Sequence, residues 1–128
     1  MTAFLWPTRE QVISIHDASI VRFGGASGLR DSGLLDSALA RPFASFDGVD
    51  IFPDDVSRVC AMVHGLVANH PFVDGNKRVG AAVLGAVLKA NGMRFKPRHG
   101  ELCDMVLGLA DGTVTLESFT GWVGNQVG

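Results

Sequence analysis

The residues best suited to chemistry lie in one stretch of nine, HPFVDGNKR, which runs from His70 to Arg78. The apolar residues that follow predict a helix, and its first turn would contain Lys77 and Arg78. The peptide dipoles already make that end of a helix positive, so two cations there are unfavourable unless an anion binds. Unpaired backbone N–H groups at a helix start, combined with such cations, are typical of a phosphate-binding site.

The other residues of this stretch complete a site for phosphate chemistry. Gly75 allows the backbone to approach an anion closely, and Asn76 adds an amide to the two cations. The carboxylate of Asp74 could hold Mg²⁺ that bridges phosphate oxygens, and the imidazole of His70 could accept the proton of an attacking hydroxyl. The stretch therefore predicts phosphoryl or nucleotidyl transfer, catalysed mainly by positioning and charge. The predicted catalytic residues are His70, Asn76, Lys77 and Arg78, and the predicted phosphate-binding residues are Gly75, Asn76, Lys77 and Arg78.

A purely structural interpretation explains most of these residues singly. Asp74 would cap the following helix, His70 would end the preceding one, and Phe72 would anchor the loop in the core. This interpretation gives no reason for two cations at a helix N-terminus, so we favour the phosphate site.

Composition restricts the class of protein. The chain has 128 residues, of which 47% are hydrophobic, and this suits a single domain spanning residues 1–128. With 11 basic against 13 acidic residues the net charge is -2, which argues against nucleic acid as a direct partner. No apolar run approaches the roughly 20 residues that span a membrane, and the N-terminus lacks a signal-peptide pattern. We therefore expect a cytoplasmic protein without a membrane partner, in which Cys60 and Cys103 are reduced.

The chain shows the periodicity of an all-α fold with about six helices. Residues that typically cap helix N-termini precede three of the periodic segments: Thr8, Asp31, and Asp54 or Asp55. The predicted apolar stripe of the first helix is Val12, Ile15, Ser19 or Ile20, and Phe23. The helix that carries the cations runs from about Gly75 to Asn91–Gly92, and its Val, Ala, Gly and Leu content predicts that it is central and buried on nearly all sides. Its glycines, Gly80 and Gly85, predict close approach by neighbouring helices.

The segment from Arg41 to Pro53 differs from the rest of the chain because it has no helical period. It contains three phenylalanines and a turn-like Asp47–Gly48 pair that could close a small hairpin. A long apolar loop of this kind is typically a functional flap, although it could also serve only to cover the core. We predict that the phenylalanines of this flap contact the target: Phe43, Phe46 and Phe52.

The stretch HPFVDGNKR resembles the signature loop of the Fic/Doc superfamily, His-Pro-Phe-x-(Asp/Glu)-Gly-Asn-(Gly/Lys)-Arg. The upstream segment IHDASIVRFGGASGLRDSGLLDSALARP is similar to the N-terminal half of the death-on-curing (Doc) toxins, so the resemblance covers about Pro7 to Ala110. It implies a small helical domain whose signature loop enters a central helix beside a flap. It also implies individual roles: His70 as base, Asp74 as Mg²⁺ ligand, and Asn76 and Arg78 as phosphate ligands.

Two positions bear on the reaction. Most Fic enzymes have Gly where this chain has Lys77 and Arg where it has Ala81, and those enzymes transfer a nucleotide to a protein hydroxyl. The Doc toxins share the Lys pattern, and the resemblance implies that they present the γ-phosphate of ATP, with Mg²⁺, to a threonine of elongation factor Tu. It therefore implies a protein kinase that arrests translation and is held inactive by an antitoxin of the Phd type, which folds on binding. Nucleotidyl transfer, and a catalytically silent adaptor that only binds an anion or a helix, stay open as alternatives.

Weaker patterns have simpler explanations. Cys60 and His64 lie one helical turn apart, but two ligands without a third do not make a metal site. The segment TVTLES loosely resembles an inhibitory motif of some Fic enzymes, yet Thr115 as a helix N-cap explains the same residues. We expect His16 and Asp17, on the first helix, to be a satisfied or solvated pair rather than a catalytic dyad.

Overall fold

Six helices make up most of the part of the chain that the computed structural model describes, residues 3–128. In chain order they are α1 (Arg9–Phe23), α2 (Ser32–Ala40), α3 (Asp55–Ala68), α4 (Asn76–Ala90), α5 (Glu101–Asp111) and α6 (Leu116–Gln126). Between α2 and α3 lie a 3₁₀ turn (Arg41–Phe43) and a hairpin of two strands, β1 (Ser45–Phe46) and β2 (Val49–Asp50). The prediction of an all-α fold with about six helices is therefore confirmed. Within residues 3–128, no helix combines the length and the apolar character that crossing a membrane requires.

Side-chain caps determine where the first three helices begin. The Thr8 hydroxyl accepts a hydrogen bond from the Gln11 N–H at 3.1 Å, and the Gln11 side chain accepts one from the Thr8 N–H at 2.8 Å. This reciprocal pair satisfies N–H groups that a helix start leaves unpaired. Asp31 caps α2 through a bond of 3.0 Å, and Asp54, not Asp55, caps α3 at 2.8 Å. All three predicted helix starts are confirmed.

The core is organised around α3, which packs against α2, α4, α5, α6 and the 3₁₀ turn. Its buried apolar side chains come from nearly every turn: Val59, Cys60, Ala61, Met62, Val63, Leu66 and Val67. Because Gly80 has no side chain, α4 packs closely against Val67 of α3, and a larger residue at position 80 would collide with it. The predicted close approach at Gly85 is wrong, because no neighbouring group of the described chain lies within 4 Å of where its Cβ would be.

Helix α4 is buried on one face only. Its inner face consists of Val79, Gly80, Val83, Leu84, Val87 and Leu88. Its outer face exposes Ala82, Ala86 and Lys89, so the expectation of burial on nearly all sides is wrong. The reason is that the outer positions carry small alanines, whose exposure to water costs little, while the packing of α4 within residues 3–128 is mainly against α1, α3 and α5.

Helix α1 turns most of the predicted stripe inward, since Val12 and Ser19 are buried and Ile15 packs against the core, but His16 joins this stripe and Phe23 does not. Its buried residues are Val12, His16 and Ser19. Phe23, predicted to be apolar core, is 63% exposed because the helix ends there, and its ring lies 5.8 Å from the guanidinium of Arg78. His16, on the buried side of α1, and the ring of Phe23, at its end, both lie next to the HPFVDGNKR loop.

The segment between α2 and α3 forms the predicted small hairpin. Ser45 pairs with Asp50 and Phe46 with Val49, in antiparallel register. The connecting turn is Asp47–Gly48, with φ of +53° and +75°, as a tight hairpin turn requires. The side chain of Arg58, on α3, donates to the Asp50 carboxylate at 3.1 Å and so ties the hairpin to the helical body.

Candidate active site

The start of α4 presents three open backbone amides. Gly75 precedes the helix with φ of +76°, and the helix start has no side-chain cap. The N–H groups of Asn76, Lys77 and Arg78 have no hydrogen-bond acceptor among the described residues. Because the helix dipole adds positive potential at the same point, this arrangement suits an anion with several oxygens, such as a phosphate chain.

The side chain of Asn76 holds the loop together. It is 7% exposed, and its Oδ1 accepts a hydrogen bond from the Phe72 N–H while its Nδ2 donates to the Phe72 carbonyl, both at 3.0 Å. Sequence reasoning assigned this amide to phosphate. In the structure its Oδ1 and one N–H of Nδ2 are bonded to Phe72 within the loop, which leaves the second N–H of the amide and the backbone N–H, so its assignment to phosphate stays a prediction.

The two cations of the first turn differ in how firmly they are held. Lys77 is exposed, and its ammonium makes no hydrogen bond or ion pair with the described residues. Arg78 is half-buried, and its Nη2 donates to the Gly24 carbonyl at 2.8 Å. The guanidinium also lies 5.8 Å from the ring centre of Phe23, where a cation–π contact is favourable. Arg78 is therefore a fixed charge at the mouth of α4, and Lys77 is a long, flexible side chain that can reach toward a ligand.

Asp74 points its carboxylate at backbone amides. Its Oδ1 accepts from the Gly75 N–H at 2.8 Å and its Oδ2 accepts from the Ala26 N–H at 3.3 Å. These two bonds lower the pKa of the Asp74 carboxyl, with a smaller contribution from the Arg78 charge. The group is therefore ionised at neutral pH and loses its charge only as the pH falls through that lowered pKa.

The carboxylate of Asp74 suits a Mg²⁺ ion that would be bound together with substrate phosphates. Residues 3–128 contain no cluster of three or more His, Cys, Asp or Glu side chains that would form a resident metal site. Mg²⁺ is, however, commonly held by one or two carboxylates together with substrate phosphates. Asp74, ionised and next to the open amides of α4, has spare acceptor capacity on both oxygens for this purpose.

His70 lies at the other end of the loop, directly after α3. It is exposed, and its Nδ1 lies 3.5 Å from the Nδ2 of Asn76, at the limit of a hydrogen bond. Asn76 is also the first residue of α4, so this contact places the imidazole near the open amides. An exposed imidazole there is accessible to a hydroxyl of another molecule.

His16 is a residue of the site that sequence reasoning missed. Its Nε2 lies 2.6 Å from the Asp74 carbonyl oxygen, and its ring stacks on that of Phe72 with centroids 3.9 Å apart and planes at 9°. Its ring is fully buried, and its Nδ1 is 3.8 Å from the exposed carboxylate of Asp17. The predicted pair with Asp17 is therefore secondary to a structural contact with the loop. The available signal was the position of His16 four residues after Val12, on the inward face of an amphipathic helix.

The backbone just after α1 forms a wall against the site. The Gly24 carbonyl holds Arg78, and the Ala26 N–H holds Asp74. Gly25 lies between them with φ of +114°, and a Cβ on it would stand 2.6 Å from the Asp74 Oδ2 and 3.0 Å from the Arg78 Nη2. A side chain at Gly25 would therefore have to displace the Asp74 carboxylate and crowd the Arg78 guanidinium.

Substitution of Gly25 should damage this site more than substitution of its neighbour Gly28. Gly28 has a similar φ of +104°, but nothing lies within 4 Å of the position that its Cβ would take, so Gly28→Ala is a matched control for backbone strain. We expect Gly25→Ala to weaken ATP binding about tenfold or more relative to Gly28→Ala, because it displaces a charged hydrogen-bonding group. Isothermal titration calorimetry of both variants measures this, and equal affinities would show that the wall does not shape the site.

The flap phenylalanines lie apart from the loop. Phe46 is 75% exposed, Phe43 is 58% exposed and packs edge-on against Trp6, and Phe52 lies under the Arg41 guanidinium. None of the contacts found in the described residues joins them to the loop. Their predicted role in target binding stays a prediction.

Cys60 and His64 do not form a metal site in the described part of the chain. Nδ1 of His64 bonds instead with Arg41, and burial, together with the Arg41 charge, lowers the pKa of His64. Burial raises the pKa of Cys60 to about 12, so this residue is a neutral thiol. Thr115 caps α6 at 3.0 Å, as the simpler interpretation of that segment expects.

Comparison with known proteins gives matches that cover most of the chain. The model of the Fic/DOC family matches residues 6–88. The chain is 42% identical over 95 residues to "Toxin Doc" of Mycolicibacterium smegmatis, covering 74% of this chain and 69% of that protein. It is also 30% identical over 112 residues to "Protein kinase doc" of Escherichia phage P1, covering 85% of each. With these matches and a signature loop that leads into the open N-terminus of α4, the chain belongs to the Fic/Doc family.

Proposed function

We propose that the protein is a toxin that acts as a protein kinase and transfers the γ-phosphate of ATP to a hydroxyl, most simply a threonine, of a translation factor. The observation that carries this proposal is the start of α4, where three open amides and two cations adjoin an exposed imidazole. Two relatives support it by name, since one is called a toxin and the other a protein kinase. Elongation factor Tu is the target to test first.

The residues of the loop divide the reaction between them. The amides of α4, with Lys77 and Arg78, bind the phosphate chain and balance its negative charge. His70 accepts the proton of the target hydroxyl as the hydroxyl oxygen attacks the γ-phosphorus. The new O–P bond forms while the bond from the γ-phosphorus to the bridging oxygen breaks, and ADP leaves with that electron pair. Mg²⁺, held by Asp74 and the phosphates, would supply further charge neutralisation.

Lys77 and Ala81 favour phosphoryl over nucleotidyl transfer. The ammonium of Lys77 adds bulk and charge at the anion site, where a glycine would leave space for phosphates to bind deeper. Ala81, one turn further along α4, provides no second guanidinium. Both features change how a triphosphate can bind, and they support presentation of its terminal phosphate to the target.

Mass spectrometry of the modified target tests the reaction. Purified protein is incubated with ATP, Mg²⁺ and elongation factor Tu, and the intact mass of the factor is measured. We expect a gain of one phosphate, and label from γ-labelled ATP should appear on a threonine. A gain of a nucleoside monophosphate would contradict the kinase proposal and support nucleotidyl transfer. If a different protein in a cell extract were modified instead, the proposed reaction would stand and elongation factor Tu would not be the target.

The proposal includes an antitoxin as partner. A toxin that arrests translation requires an inhibitor in its own cell, and we propose a Phd-like protein with a segment that folds into a helix on binding. The described surface offers apolar area for such a helix. One candidate is a groove of about 610 Å³ between the N-terminal segment, α1 and α4, whose lining includes Trp6, Ile15, Ala86 and Val87. The exposed flap residues near Phe46 offer another.

A further inference from the structure

His70 adopts a backbone conformation that its sequence disfavours. Its φ is +53°, in the left-handed region that residues other than glycine rarely adopt. The next residue is Pro71, and a residue before proline is driven toward extended conformations. A disfavoured conformation of this kind persists only where the surroundings hold it in place.

Arg30 supplies the contacts that hold His70 in this backbone conformation. Its Nε donates to the His70 carbonyl oxygen at 2.7 Å, and its Nη2 donates to the Asn69 carbonyl oxygen at 2.8 Å. These carbonyls belong to the peptide planes before and after His70, and the orientations of the two planes define its φ and ψ. The guanidinium of Arg30 therefore determines where the Cα–Cβ bond of His70 points, and with it the region that the imidazole can reach.

Arg30 is itself held against the loop by its backbone. The N–H groups of Arg30 and Asp31 donate to the Pro71 carbonyl at 2.8 and 3.0 Å. The Val73 N–H donates to the Gly28 carbonyl at 3.0 Å, so residues 28–31 and 71–73 pair like two short strands. The base of the Arg30 side chain is therefore fixed, and its planar guanidinium fork presents two N–H groups to the two carbonyls in a rigid arrangement that the rotatable ammonium of a lysine does not provide.

We propose that Arg30 is a positioning residue that holds His70 in the orientation needed for proton transfer. This inference rests on the proposed function, because it assigns Arg30 to the same reaction. Within the described residues the side chain of Arg30 makes no hydrogen bond to α4, where the phosphates bind. Loss of its guanidinium therefore slows the chemical step and leaves ATP binding unchanged.

Three single variants of the full chain, and one double variant compared with His70→Ala, test this proposal. We expect Arg30→Ala to lower kcat about 10- to 100-fold, with the KM for ATP within about twofold of wild type. Arg30→Lys keeps the charge without the fork, so its kcat should lie between the two. Arg98→Ala removes an exposed arginine whose side chain has no partner in the described residues, and should behave as wild type. When Arg30→Ala is added to His70→Ala, no further loss is expected, because Arg30 acts through His70.

The readouts separate this inference from the proposed function. Circular dichroism identifies which Arg30 variants are folded, and Arg30→Lys decides the outcome if Arg30→Ala is not. Wild-type kcat in a folded variant, or a full further loss in the His70→Ala background, would overturn the inference. Ring resonances of His70, assigned by NMR without substrate, should shift or broaden in the Arg30 variants and stay unchanged in Arg98→Ala. If the wild-type protein transfers no phosphate, the proposed function fails, and these resonances alone then support or overturn the role of Arg30.

Discussion

His70→Ala is expected to abolish growth arrest on expression and to lower the rate of phosphate transfer by about two to four orders of magnitude, the usual contribution of a general base. The imidazole is an exposed proton acceptor of the loop that lies next to the open amides of α4. His70 is exposed, so its side chain adds little packing, but its backbone is left-handed, so the free energy of unfolding should fall by about 1 kcal/mol or less. The measurement pairs a transfer assay with a denaturant titration.

His99→Ala is the matched control for this experiment. His99 is also exposed, and it lies in the loop before α5, outside the HPFVDGNKR stretch. Its replacement should leave both growth arrest and transfer unchanged. If His70→Ala still arrested growth as the wild type does, both enzymatic interpretations would be lost. The anion-binding or helix-binding adaptor would then be the better account of the chain.

Phe72→Ala is expected to cost about 3–5 kcal/mol of unfolding free energy, a large part of the stability of a typical domain. The Phe72 ring is 1% exposed, stacks on His16, and forms part of the core. Its removal would leave a cavity beneath the loop, and the loop could fill it only by moving. Chemical denaturation of the variant and the wild type measures the difference.

Two further variants bracket the effect of Phe72→Ala. Phe46→Ala removes the same ring from the flap, where it is 75% exposed, and should change stability by less than about 0.5 kcal/mol. Phe72→Leu keeps much of the volume and should lose less than Phe72→Ala. A loss below about 1 kcal/mol in Phe72→Ala would mean that the loop is not anchored by this ring. Phe46→Ala can also be assayed for transfer to the target, which tests the predicted role of the flap.

Local signals explain why much of the fold was predictable. Thr8, Asp31 and Asp54 each cap a helix through a bond to a residue three positions further along the chain, so their geometry depends on neighbouring residues only. The Asp47–Gly48 turn similarly closes the hairpin within a few residues. The prediction of a loop that leads into a helix carrying two cations likewise depended only on residues close together in the chain.

Long-range contacts explain what was not predictable. His16, Gly25 and Arg30 reach the loop across 58, 49 and 40 residues of chain, where separation is counted to Asp74 for the first two and to His70 for the third. No local pattern indicates that an amphipathic helix and the turn after it will pack against that loop. The exposure of Phe23 and of the outer face of α4 follows from the same packing.

The amino-acid sequence by itself therefore determined the helices, their caps, the hairpin and the chemical character of the HPFVDGNKR loop, because periodicity, capping and turn formation are local interactions. Only the tertiary structure decided which groups support that loop: the buried ring of His16 under Phe72, the backbone wall at Gly25, and the fork of Arg30 on the carbonyls that flank His70. These contacts depend on how α1 and the segment after it pack against α3 and α4, and that packing is set by the whole core.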